Sequence, residues 1–238
     1  LGYNENDKLL IIHADDVGLS KSVNESTFES FNNKSITSAS IIMNTYEMEE
    51  GVKFAAENPN YDFGVHLTVT SEWKYHKWGG ILDKAKTPSL HNSINNFYWN
   101  KRRFVKNADL REIKMELQAQ ISLAKSMGLK PSHIDSHEGA LFFDPNIFKI
   151  YIDLAVENDL LAFVPIEASM HFNGELNKPN NAVIIDQFHM LKGGTKVEDI
   201  ENFYFNVISN LKPGLSQIII NFFIDEPELK KITVDHQN

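Results

Sequence analysis

The chain contains no cysteine in its 238 residues. That absence excludes a disulfide scaffold, a thiolate zinc site, an iron–sulfur cluster and a cysteine nucleophile. Basic residues are in short supply, with 23 Lys plus Arg against 32 Asp plus Glu and a formal charge of −9. A nucleic-acid binder needs a basic footprint, so no nucleic-acid partner is expected. No apolar run reaches the roughly 18–20 residues that a membrane helix needs, so no membrane span is expected. Only eight residues are proline, 42% are hydrophobic and 23% are charged. That is an ordinary globular balance, which argues against disorder. The sequence starts at Leu1 rather than Met. A removed export signal is therefore open, and cytoplasm and periplasm fit equally. What the chain does have is nine His. Without Cys, any metal centre must be built from imidazole and carboxylate.

The apolar run Leu9-Leu10-Ile11-Ile12 reads as a strand buried on both faces, as in a parallel sheet. Further strands are expected over 37–43, 63–69, 132–135, 161–166 and 217–224. Helices are expected from the Ser20 cap to Asn33, and over 47–57, 109–127, 145–157 and 197–211. Pro145 suits a first turn and Gly128 a C-terminal cap. In the 109–127 helix, Leu110, Ile113, Leu117, Ile121 and Ala124 recur at helical spacing. Strands alternating with helices predict an α/β fold. About seven such alternations favour an irregular, TIM-like (β/α) barrel, and the length suits one domain over 1–238. Two long insertions, about 71–108 and 168–196, are expected as functional loops.

Three motifs end predicted strands, where a barrel gathers its active site. The first is His13-Ala14-Asp15-Asp16-Val17-Gly18. Adjacent acids at the end of a buried strand need a compensating cation, although one Asp capping the next helix is an equal reading. The second is Gly64-Val65-His66-Leu67-Thr68, whose His alone is more often a hydrogen-bonded core residue than a ligand. The third is Ser132-His133-Ile134-Asp135-Ser136-His137. In extended chain, His133, Asp135 and His137 share one face. Two His and an Asp form an open set for a divalent cation, with positions left for water and substrate.

The segments HADDVGLS (13–20), GVHLTVT (64–70) and KPSHIDSHEG (130–139) resemble the YdjC-like carbohydrate deacetylases, the family that includes chitooligosaccharide deacetylase. The resemblance runs from about residue 8 to 160 and weakly onward. It implies an irregular barrel, one divalent metal (zinc or magnesium) and hydrolysis of an N-acetyl group on an amino sugar or short oligosaccharide. It implies Asp16, His66 and His137 as metal ligands and Asp15 as catalytic base. His133 and Asp135 would support the ligands from behind, and His13 takes the place of a usual Asn. Near the C-terminus the family often has a His where Asn221 stands here. Asn cannot act as a general acid, so Asn221 is expected to contact substrate and the proton donor to the leaving amine is unassigned. His189 falls in a predicted loop and reads as a surface residue.

All three tryptophans, Trp73, Trp78 and Trp99, lie in the first insertion. They either stack on sugar rings or anchor the insertion to the barrel. Trp73, nearest His66 in sequence, is the substrate candidate. A homodimer is open. The competing functions are another metal-dependent hydrolase, such as a phosphoesterase or non-sugar amidase, and a weakly catalytic carbohydrate-binding homologue.

Overall fold

The computed structural model describes residues 2–171, 181–192 and 195–222. Lys8–Val17 forms β1, and the following strands are β2 (Ser38–Ile41), β3 (Asp62–Leu67), β4 (His133–Ser136) and β5 (Leu161–Pro165). The chain closes with β6 (Ala182–Ile185), β7 (Gln187–Met190) and β8 (Gly214–Ile220). The sheet order is β6-β5-β4-β3-β2-β1-β8-β7, and every pairing is parallel. The two strands at the ends of that order are consecutive in the chain, separated only by Asp186. One stretch, 182–190, thus pairs through its first half with β5 and through its second half with β8, and the sheet curls into a barrel. Asp186 holds the changeover: its N–H donates to the Leu215 carbonyl, 2.9 Å, and its Oδ2 accepts from the Leu215 N–H, 2.8 Å.

Helices α1 (Lys21–Asn32), α2 (Met48–Glu57), α3 (Lys101–Asn107), α4 (Leu110–Ser126), α5 (Pro145–Asn158), α6 (Ile166–His171) and α7 (Val197–Ser209) fill the connections. Their starts follow local chemistry. Ser20 Oγ accepts the Val23 N–H, Asp109 accepts from Arg111 and Glu112, and Asp144 accepts from Asn146 and Ile147 just ahead of Pro145. On α4 the buried apolar positions are Ile113, Leu117, Ile121 and Ala124, while Leu110 is exposed beside the cap. Each such buried Leu or Ile stabilises the fold by roughly 1.5–3 kcal/mol relative to an exposed one. The core runs from these helices through Val65, Leu67 and Ile134 in the strands.

Two expectations need correction. The insertion over 168–196 is not a structureless loop, because it contains part of α6 and the strands that close the barrel. Its short strands carry polar Gln187 and His189 around a break at Asp186, so no apolar period announces them. His189 accordingly lies on β7 rather than in a loop. The insertion over 71–108 contains α3 and a 3-10 turn at Pro88–Leu90. The last strand ends at Ile220, and the part of the predicted strand beyond residue 222 lies outside the described residues.

Candidate active site

The site begins with a defect in β1. Side chains alternate along a regular strand, so adjacent Asp15 and Asp16 would face opposite ways. Here the register with β2 shifts between Ala14 and Val17, and Asp16 takes a left-handed φ of 60°. Asp tolerates that conformation better than most residues. The bulge turns both carboxylates toward the same end of the barrel.

Three motifs meet there. His137 Nδ1 lies 3.0 Å from Asp16 Oδ1 and 3.3 Å from His66 Nε2, and His66 Nε2 lies 3.4 Å from Asp16 Oδ1. All three residues are buried. His66 and Asp135 are register partners across β3 and β4, and Asp135 Oδ1 holds His66 Nδ1 at 2.8 Å. Asp135 Oδ2 accepts from Ser40 Oγ at 2.9 Å and meets His13 Nε2 at 3.1 Å. His13 in turn contacts Ser38 and Ser40, each at 3.0 Å. His137 does not lie on β4. It opens the turn after it, where Glu138 and Gly139 have φ of 53° and 65° and reverse the chain.

The donor chemistry fits one divalent cation held by Asp16, His66 and His137. Both imidazoles are backed by carboxylates on their outer nitrogens, His66 by Asp135 and His137 Nε2 by Glu72 at 3.0 Å. Such backing fixes the tautomer and turns the other nitrogen toward the metal position. In the cation-free state, positive charge comes from the imidazoles instead. Burial opposes charge on His66, but Asp135 and Asp16 overcome it and raise the group to about 10. Burial likewise opposes charge on His137, and Glu72 and Asp16 raise it well above the usual range. Burial would raise Asp16, yet His137 and His66 hold it low. Asp15 goes the other way: burial first, then the Asp16 charge, pushes it up to about 8. A cation beside Asp16 would act on Asp15 in the opposite sense.

Asn221 follows β8 directly, and Ile220 is in register with Ala14 of β1. Its Nδ2 donates to Asp15 Oδ1 at 2.8 Å and to Asp16 Oδ2 at 3.3 Å. The other oxygen of Asp15 has no hydrogen bond among the described residues. His133 sits apart from this cluster. It lies deeper in the barrel, fully buried, stacked on Phe163 at 4.3 Å and edge-on to His13 at 5.4 Å. Its Nδ1 meets Ser132 Oγ at 2.8 Å, and its ring reaches the cluster through its contact with His13.

Over the carboxylates lies a cavity of about 450 Å³, lined by Trp73, Phe142, Phe163, Phe188, Met190 and Ile219. Trp73 thus borders the same cavity as Asp15, Asp16 and His137. Trp78 is buried with its ring 5.9 Å from that of His137, and Trp99 is exposed.

Residues 9–221 match the family described as YdjC-like protein. The chain belongs to the YdjC-like family. A carbohydrate deacetylase of Clostridium beijerinckii is 28% identical over 225 residues, which span 94% of this chain and 79% of that protein. A chitooligosaccharide deacetylase of Yersinia pestis is 30% identical over 158 residues, 65% of this chain and 58% of that one. A solved structure from Enterococcus faecalis has a TM-score of 0.79, covering 96% of this chain and 86% of its own at 22% identity. That likeness shows the fold.

Several residues at the site of this YdjC-like protein escaped the sequence reading. Ser38 and Ser40 are polar at alternate positions of an otherwise apolar strand, which is a usable signal for an inward polar face. Glu72 lies at the start of the first insertion and reaches His137 only through the fold. Nothing in its spacing marks it.

Proposed function

We propose that this YdjC-like protein is a divalent-metal-dependent hydrolase that removes N-acetyl groups from an amino sugar or short oligosaccharide. The observation that carries the reading is the meeting of Asp16, His66 and His137 beside Asp15 on the floor of an aromatic-lined cavity. The curated relatives named as carbohydrate and chitooligosaccharide deacetylases support the substrate class. When bound by Asp16, His66 and His137, zinc or magnesium supplies Lewis acidity toward a carbonyl and a water.

The chain's own groups handle the protons. Asp15 takes one proton from water as the water oxygen bonds to the acetyl carbon. The C–N bond then breaks, acetate leaves, and the sugar nitrogen gains a proton. Asn221 has no proton to give, so we assign its return to Asp15. Asn221 also occupies one oxygen of Asp15 and leaves the other for the water. Asp135 and Glu72 keep His66 and His137 turned toward Asp16. Trp73 offers a face to the sugar ring.

Asp15→Asn is expected to abolish acetate release from N-acetylated chitooligosaccharides while leaving metal content by elemental analysis unchanged. An unaltered rate removes Asp15 from the base role. Phosphate release from phosphosugars without any acetate release turns the reading to a phosphoesterase. For Trp73→Ala, KM should rise several-fold with kcat less affected; an unchanged KM makes Trp73 a packing residue.

A further inference from the structure

We infer that Asn221 reads the N–H of the scissile acetamide and so makes the site selective for amides over esters, an inference that rests on the deacetylase reading. The argument begins with a planar group whose two ends differ. The side-chain amide has two N–H donors on one end and a carbonyl acceptor on the other. Asp15 and Asp16 both accept from the nitrogen, at 2.8 and 3.3 Å. With both acids ionised, as a cation beside Asp16 would keep them, the reverse orientation would set a carbonyl oxygen against two carboxylates, so the amide is held this way round. Oδ1 then points away from both acids, and it has no hydrogen bond among the described residues. Asn221 lines the cavity with Asp15, Asp16, His66 and His137. The site therefore presents one fixed acceptor next to its base.

Of the other carboxylates beside the cluster, three are already engaged, and the free oxygen of Asp15 is the one left for the water. Asp16 serves His137 and His66, Asp135 serves His66, His13 and Ser40, and Glu72 serves His137. An acetamide brings a carbonyl to be attacked and, on its nitrogen, one N–H that needs a partner. An acetate ester has the same carbonyl and no such donor. An acceptor held by two carboxylates pays little ordering cost on binding, which suits it to discriminate between the two. The register that brings Ile220 opposite Ala14 places this contact at the C-terminal end of β8, across from the bulge that turns Asp15 inward.

The test compares acetate release from di-N-acetylchitobiose with release from the matching sugar that carries a 2-O-acetyl group. Wild type is expected to favour the amide over the ester, and to do so more strongly than a variant without an acceptor at 221. Asn221→Leu, which has no acceptor, should lower the amide-to-ester ratio of kcat/KM by about tenfold, the effect of one unmade hydrogen bond. Asn221→Asp keeps an acceptor oxygen but loses the donors to Asp15 and Asp16. It should slow both substrates and hold a ratio near that of wild type. This pair of variants separates reading the substrate from holding the base, because a purely structural role would move both rates together in both variants. A wild-type ratio in Asn221→Leu, with acetate released from both sugars, overturns the inference alone. No acetate from either sugar with the metal-loaded wild type removes the deacetylase reading and this contact with it.

Discussion

At Gly64 the interior leaves no room for a methyl group, because an added Cβ would press on three atoms of the His133 ring. The His has taken the space that a side chain on the neighbouring strand would fill. Gly64→Ala should therefore cost about 1–3 kcal/mol through overpacking, read as a lower urea midpoint. His133 itself gives a pH signature. Burial, and then His13, pull its pKa from 6.5 to about 4, so the folded protein keeps it neutral. Between those values the unfolded chain binds a proton that the folded chain does not. Its contribution is complete above about pH 6.5 and is lost as pH falls toward 4. His133→Gln should flatten the acid side of the stability profile, measured as urea midpoints at pH 7, 5 and 4; an unchanged slope means that His133 is not the group responsible. The face shared by His133 and Asp135 was legible from strand alternation alone. The separate depths of His133 and His137 were not, because they depend on where β4 ends and the left-handed Glu138–Gly139 turn begins.

At the scale of an element, α5 is fastened to the sheet by one hydroxyl. The buried Tyr151 Oη donates toward the carbonyls of Ile134, 2.8 Å, and Phe163, 2.9 Å, joining the helix to β4 and β5. Its pKa is driven well above the ordinary range by burial, so the proton stays in place. Tyr151→Phe leaves two buried carbonyls short of this donor and should destabilise by about 1–3 kcal/mol, seen as a lower Tm. Helical spacing shows that α5 exists and where it starts, through Asp144 and Pro145. It does not show which carbonyls a tyrosine will find. The same limit applies to β6 and β7. Each is four residues long, too short for a period-two pattern to stand out, and their strand character comes from the partners on either side.

For the whole molecule, the proposed ligand set would tie together β1, β3 and the turn after β4. A cation bound there stabilises the folded state by mass action, about 2.7 kcal/mol at a hundred times its Kd. Zinc or magnesium should raise Tm in a concentration-dependent way, a chelator should reverse it, and His137→Ala should abolish the shift. Affinity should also climb with pH over 6–8, by about tenfold per unit for each proton displaced, since His66 titrates near 10 without the cation. Pronounced affinity loss with rising pH would contradict that account. The barrel class could be read from the alternation of strands and helices, but its manner of closure could not.

That closure has a consequence for how the protein is made. Strand β1 leaves the ribosome long before its partner β8, which is among the last of the described strands. Until Gly214–Ile220 emerges, one edge of Leu9–Ile12 stands open, as do the edges that the 182–190 stretch will cover. Open edges of this kind recruit other chains, so the nascent protein has a long interval in which aggregation competes with folding. Every proposed ligand has been synthesised by His137, before that interval ends. A cation captured early would clamp β1, β3 and the turn after β4 while the seam is still unmade, and would narrow the ways in which the half-made barrel can go wrong.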